Sequence, residues 1–226
     1  MLEWLSDDDA AARSARIRDA VNASIAANRD EADWIAAIAS DVIPPAAINQ
    51  LQTTRRDYHY GNLTSVIART DRSHLARTLF IPWDYADALD NQSLHLDPSE
   101  DRRHAHQWNK PAGDPNRKSA GGMLGANRLA IEAFPVFTSI PYQDALHTLG
   151  FTGQRSYNTR WTWPIWTHPI TLDQLRSVLA FRELQSDTID PGLMNKLRAR
   201  GIVAVFRTRR ILVGKTPNFT PPVCIA

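Results

Sequence analysis

The sequence predicts an α+β fold, with a helical N-terminal half and a small antiparallel sheet with packed helices in the C-terminal half. Three observations predict it. Apolar residues recur at helical spacing through the first 80 positions, period-2 and β-branched runs are confined to the last third, and a long Pro-, Asp-, Asn- and His-rich stretch lies between. The chain thus divides into a helical region over 1–80, a long polar loop region over 81–122, and an α+β region over 123–226 that carries a C-terminal β-hairpin.

The first helix is expected from about Ser6 to Ala27. Ser6 and Asp9 resemble a capping box, three acids suit the positive end of a helix, and Ile17, Val21 and Ile25 form a narrow apolar stripe. A second helix fits Glu31 to Val42, with Ile35, Ile38 and Val42 on one face and Pro44-Pro45 as its stop. Shorter helices follow at Asn62–Ala68 and Ser73–Phe80.

Beyond the loop, Leu124, Leu129, Ile131 and Phe134 mark a buried helix that Pro135 ends. Trp161-Thr162-Trp163 alternates as a strand does, and Pro164 and Pro169 frame a Trp-rich corner. Thr171 begins a helix that carries Leu172, Leu175, Val178 and Leu179, and Asp190-Pro191-Gly192 opens a last one, closed by Gly201. Ile202 to Phe206 is a β run, and Ile211-Leu212-Val213 is its expected hairpin partner.

A chain of 226 residues, 43% hydrophobic and 22% charged, has ordinary globular composition and is long enough to bury a core without staples. Its single cysteine, Cys224, excludes an internal disulfide and a CxxC zinc site. Glu3 and Asp7-Asp8-Asp9 do not form a secretory signal, and no apolar window reaches the roughly 18 residues of a membrane span, so the expected setting is cytoplasmic with no membrane partner.

Charge is distributed unevenly. Residues 1–40 carry eight acids against four arginines, whereas 191–226 carry seven bases and no acid, a pattern expected where one end faces a polyanion. Basic and aromatic residues interleave at Arg55-Arg56-Asp57-Tyr58-His59-Tyr60, at Arg102-Arg103 through Trp108 and Lys110, and at Arg160-Trp161-Thr162-Trp163. Cations hold phosphates and flat faces stack bases, so this mixture points to RNA or single-stranded DNA. The nucleic-acid-binding candidates are Arg55, Arg56, Tyr60, Arg102, Arg103, Lys110, Arg117, Lys118, Arg160, Trp161, Arg207, Arg209 and Arg210. For Trp161 and its neighbours Trp163 and Trp166 the competing reading is an anchor in the core.

Arg207-Thr208-Arg209-Arg210 is expected to project from a hairpin. Such clustered charge must be answered either by a phosphate or by acids folded back from the N-terminal end. An alternative site is a metal-dependent hydrolase or nuclease using His95, Asp97, His104 and His106 of the 84–106 stretch, although no HExxH or EF-hand spacing appears. The sequence also lacks a P-loop, a GxSxG elbow and a GxGxxG fingerprint, so no cofactor, no bound metal and no catalytic residue is assigned.

Several short segments carry a resemblance. Trp83-Asp84-Tyr85-Ala86-Asp87, the run from Leu94 to Arg103, the run from Leu129 to Phe137, and Trp163-Pro164-Ile165-Trp166 followed by Leu172 to Leu179 are similar to proteins of type I-G (formerly I-U) CRISPR systems. In particular they resemble the large-subunit-like component of that surveillance complex. The resemblance implies a non-catalytic subunit that contacts guide RNA or target DNA beside other protein subunits, with sequence specificity supplied by base pairing.

Overall fold

The computed structural model describes residues 10–38, 40–41, 56–87, 94, 122–142, 145–153, 158–213 and 216–226. It shows an α+β chain whose N-terminal half is helical. Helices α1 (Ala10–Ala27) and α2 (Arg29–Ile38) pack as a hairpin, with Asn28 Oδ1 accepting from Asp30 N at 3.0 Å to start the second. α2 ends at Ile38, and Ser40 and Asp41 lie outside any helix, so the expected continuation to Val42 does not form. The expected start near Ser6 lies outside the described residues.

α3 (Arg56–Arg69) is longer at both ends than its apolar spacing predicted. It is followed by α4 (Arg72–Phe80), whose N-cap Asp71 forms a capping box with His74. Hydrogen bonds from the Ser73 hydroxyl and from the His74 amide hold the Asp71 carboxyl well below the usual carboxylate range. α5 (Leu124–Glu132) takes no cap from its own N-cap residue, Met123. Instead Asp87 Oδ2 accepts from Leu124 N at 2.6 Å, while Asp87 Oδ1 pairs with Arg77 of α4. One carboxylate 37 residues away thereby joins the two helices.

Pro135 does not simply end α5. It lies in a 3₁₀ turn, Phe134–Phe137, against which α2 packs. A two-stranded hairpin follows, β1 (Ser139–Tyr142) with β2 (Ala145–Thr148). The main antiparallel sheet runs β3 (Phe151–Thr152), β4 (Arg160–Trp166), β5 (Ile202–Val213) and β6 (Thr216–Phe219), with β7 (Val223–Cys224) also on β5. Between β4 and β5 lie α6 (Leu172–Leu179), capped by Thr171 with Gln174, a 3₁₀ turn at Arg182–Gln185, and α7 (Pro191–Arg198), capped by Asp190. Gly201 closes α7 at φ +79°, as the sequence predicted.

Two readings of the strands change. Ile202–Val213 is one continuous strand, so Ile211-Leu212-Val213 is not the return arm of a hairpin with Ile202–Phe206; β6 is that arm. Arg207 to Arg210 therefore alternate between the two faces of a sheet instead of projecting together from a turn. Pro164 lies inside β4, opposite Val205, and breaks nothing. Thr162 N donates away from β5 to Gly150 O at 2.9 Å, and two residues on the missing N–H of Pro164 would point the same way. A proline there removes no bond to β5 and leaves that edge without a donor.

The sheet separates two apolar clusters. On one face Trp161, Phe151 and Phe219 join Ile17, Ile35, Ile38, Leu63, Leu124, Ile131 and Phe134 of the helical half. On the other, Ile202 and Val205 pack with Leu184, Met194 and Leu197. Each fully buried aliphatic side chain contributes about 1.5–3 kcal/mol. Arg176 of α6 ties the halves: it pairs with Asp33 of α2 at 2.9 Å and donates to Pro135 O at 2.5 Å. Arg176→Met leaves the mostly buried Asp33 carboxylate with the longer Arg29 pair at 3.9 Å, and a loss of about 2 kcal/mol is expected, read as a lower urea midpoint at unchanged slope.

Candidate nucleic-acid interface

β4 and β5 place the candidate residues of the C-terminal half. Their register sets Arg160 opposite Arg209, Trp161 opposite Thr208, and Thr162 opposite Arg207. Arg160, Thr162, Arg207 and Arg209 share one face; Trp161 and Arg210 share the other. Arg210 N donates to Thr159 O, so the hydrogen-bonded pairs are the odd-numbered residues of β4, and Arg160 and Arg209 form a non-hydrogen-bonded pair. In such a pair the Cα atoms approach to about 4.5 Å, and like charges directly opposite each other destabilise the sheet. An anion beside the pair would relieve that repulsion.

Arg207 is answered from within. Its side chain lies under the 3₁₀ turn at Arg182–Gln185, where Nη2 donates to Ser186 O at 2.8 Å and Leu184 O at 3.2 Å, Nη1 donates to Asp187 O at 3.4 Å, and Nε donates to Thr162 Oγ1 at 2.9 Å. It is 6% exposed. Burial first, then the charges of Arg160 and Arg209, lower its pKa from the ordinary arginine value. The guanidinium remains protonated at physiological pH. Among the described residues, three carbonyl oxygens and one hydroxyl, and no acid, accept from it. Arg207 is thus withdrawn from any phosphate, a correction to the expectation of a projecting cluster.

Arg210 is withdrawn too. It faces the aromatic side opposite Phe219, and burial lowers its pKa. Trp161 is a partly buried residue packed against the aromatic core. Its ring stacks on Phe151 at 5.4 Å and 10° and meets Phe137 and Phe219 edge-on at 5.2 and 5.6 Å, so one face is already taken by an aromatic ring. The reading of Trp161 as a core anchor is the one the packing favours.

Arg160 and Arg209 remain at the surface. The Arg160 side chain is 32% exposed and pairs with Asp187, itself 77% exposed. Arg209 is exposed, and none of the ion pairs among the described residues involves it. The residue that sequence reasoning missed is Asp187. Nothing in Gln185-Ser186-Asp187-Thr188 marks it, because its role follows from a contact across 27 residues.

The other candidates divide simply. Arg56 and Tyr60 lie in α3, where their side chains are not described. Arg55, Arg102, Arg103, Lys110, Arg117 and Lys118 lie outside the described residues, as do His95, Asp97, His104 and His106 of the alternative metal site. Among the described residues no group of three or more His, Cys, Asp or Glu is arranged to hold a metal ion, and no helix is long and apolar enough to cross a membrane. Compared with protein-family models, curated proteins and solved structures, the chain matches none.

Proposed function

We propose that this chain is a non-catalytic nucleic-acid-binding subunit of a CRISPR-type RNA-guided effector complex, and that it holds the backbone of guide RNA or target DNA at Arg160 and Arg209. The observation that carries the reading is the pairing of two arginines directly opposite each other on the two central strands of a sheet, with the Arg160 side chain partly exposed and Arg209 exposed. A phosphodiester placed between them relieves the repulsion and accepts from both. The short segments similar to CRISPR subunits support the same reading, as does an exposed apolar strip of Leu79, Phe80, Ile81 and Trp83, the kind of surface that a protein subunit covers in an assembly.

Backbone contacts of this kind release counterions, so log affinity for single-stranded RNA or DNA should fall linearly with log salt. Arg209→Ala is expected to weaken binding similarly for all sequences and to reduce the magnitude of that slope by about 1. Fluorescence anisotropy with labelled oligonucleotides at several salt concentrations checks both. Absence of binding, or binding insensitive to salt, overturns the reading.

A further inference from the structure

We propose that Asp187 is an internal competitor for the backbone site: its carboxylate occupies the anion position beside Arg160, and a nucleic-acid phosphate must displace it to bind. The inference rests on the functional reading above and adds to it a mechanism that sets the affinity of the same site.

Three observations carry it. Arg160 is one of two cations directly opposed in the ladder, and the carboxylate that answers it is 77% exposed and belongs to a connecting segment. The segment is held by its backbone: the carbonyls of Leu184, Ser186 and Asp187 all accept from buried Arg207. The Asp187 side chain can therefore swing away while its main chain stays anchored, and the exchange costs no core contact. Finally, Arg209 has no carboxylate of its own among the described residues, so the internal anion neutralises only half of the opposed pair. A phosphodiester also carries a single negative charge, but bridging the pair it accepts from both guanidinium groups, which the Asp187 carboxylate does not.

Tethering also selects the ligand. A carboxylate on a short segment has an effective concentration on the order of millimolar or above, which a free phosphate ion must exceed. A polymer anchored by further contacts meets that requirement locally. The site is accordingly closed to inorganic phosphate and open to a polyanion.

The experiment compares oligonucleotide affinity at fixed salt for wild type, Asp187→Asn, Asp187→Ser, Glu183→Gln and Arg160→Gln, and for Asp187→Asn combined with Arg160→Gln. Glu183 is an exposed acid in the neighbouring 3₁₀ turn that takes part in no ion pair among the described residues, so its variant reports the effect of bulk charge. Asp187→Asn keeps the carbonyl that Arg207 uses, and Asp187→Ser serves if the asparagine disturbs the segment. The expected result is about 3- to 10-fold tighter binding for the Asp187 variants, less than about 2-fold for Glu183→Gln, and no gain when Arg160 is already replaced. Inorganic phosphate at about 1 mM and constant ionic strength should leave wild-type binding unchanged.

Equal gains from Asp187→Asn and Glu183→Gln, a gain that survives Arg160→Gln, or displacement by millimolar phosphate overturns the inference. If wild type binds and Asp187→Asn binds no tighter, the inference falls while the functional reading stands. If neither binds, both fall.

Discussion

Arg207→Ala is expected to destabilise the fold by about 3 kcal/mol, although arginine is ordinarily a surface residue. The guanidinium donates to three carbonyl oxygens, of Leu184, Ser186 and Asp187, and to the Thr162 hydroxyl, and it is almost fully buried. Hydrogen bonds from a charged donor contribute about 1.5–3 kcal/mol each, but they share one side chain and do not add. Truncation leaves several polar groups turned toward a void, which places the net cost near the upper end of that range. Arg207→Lys should recover little, because one ammonium on a flexible stem does not reproduce the fork that reaches four acceptors. Urea unfolding measures the loss. A cost below about 1 kcal/mol would show that the clamp is dispensable.

The second large effect concerns a glycine. A Cβ at Gly125 of α5 would lie 2.3 Å from the His74 carbonyl oxygen and 2.3 Å from Thr78 Oγ1, both on α4. The hydroxyl could rotate, but the carbonyl is backbone, so the helices must separate. Overpacking of this kind costs about 3 kcal/mol, and the better helix propensity of alanine returns about 1, leaving Gly125→Ala destabilised by about 2 kcal/mol. Gly61 of α3 gives the opposite sign. Nothing lies within 4 Å of its Cβ position, so Gly61→Ala should stabilise by about 0.5–1 kcal/mol. Thermal unfolding of the two variants side by side checks the reversal.

These residues show where reading the chain alone succeeds. Helix positions were legible wherever local chemistry decides them: Thr171, Asp190-Pro191 and Gly201 bound their helices as their side chains and φ preferences require. Strand existence was legible from the β-branched run at Ile202, but its length was not. Arg207 to Arg210 looked like a polar interruption, whereas pairing to β4 on one side and to β6 and β7 on the other carries the strand through them. Pro164 misled for the same reason, since its effect depends on which way the missing N–H points.

Of the candidate site, the chain showed its charge and not its geometry. That arginines accumulate in the C-terminal segment without acids follows from composition. Which of them remain at the surface follows from strand register alone: a shift of one residue would bury Arg160 and Arg209 against the aromatic face and turn Trp161 and Arg210 outward.

The amino-acid sequence by itself determined the α+β class, the helix bounds that Thr171, Asp190-Pro191 and Gly201 mark, and the basic character of the last segment, because each depends on residues within a few positions of one another. Tertiary structure alone decided that Arg207 is an internal clamp, that Arg160 and Arg209 lie opposite each other, and that Asp187 pairs with Arg160. Those facts depend on hydrogen bonds and charges brought together across 20 to 49 residues of chain, and no local pattern encodes them.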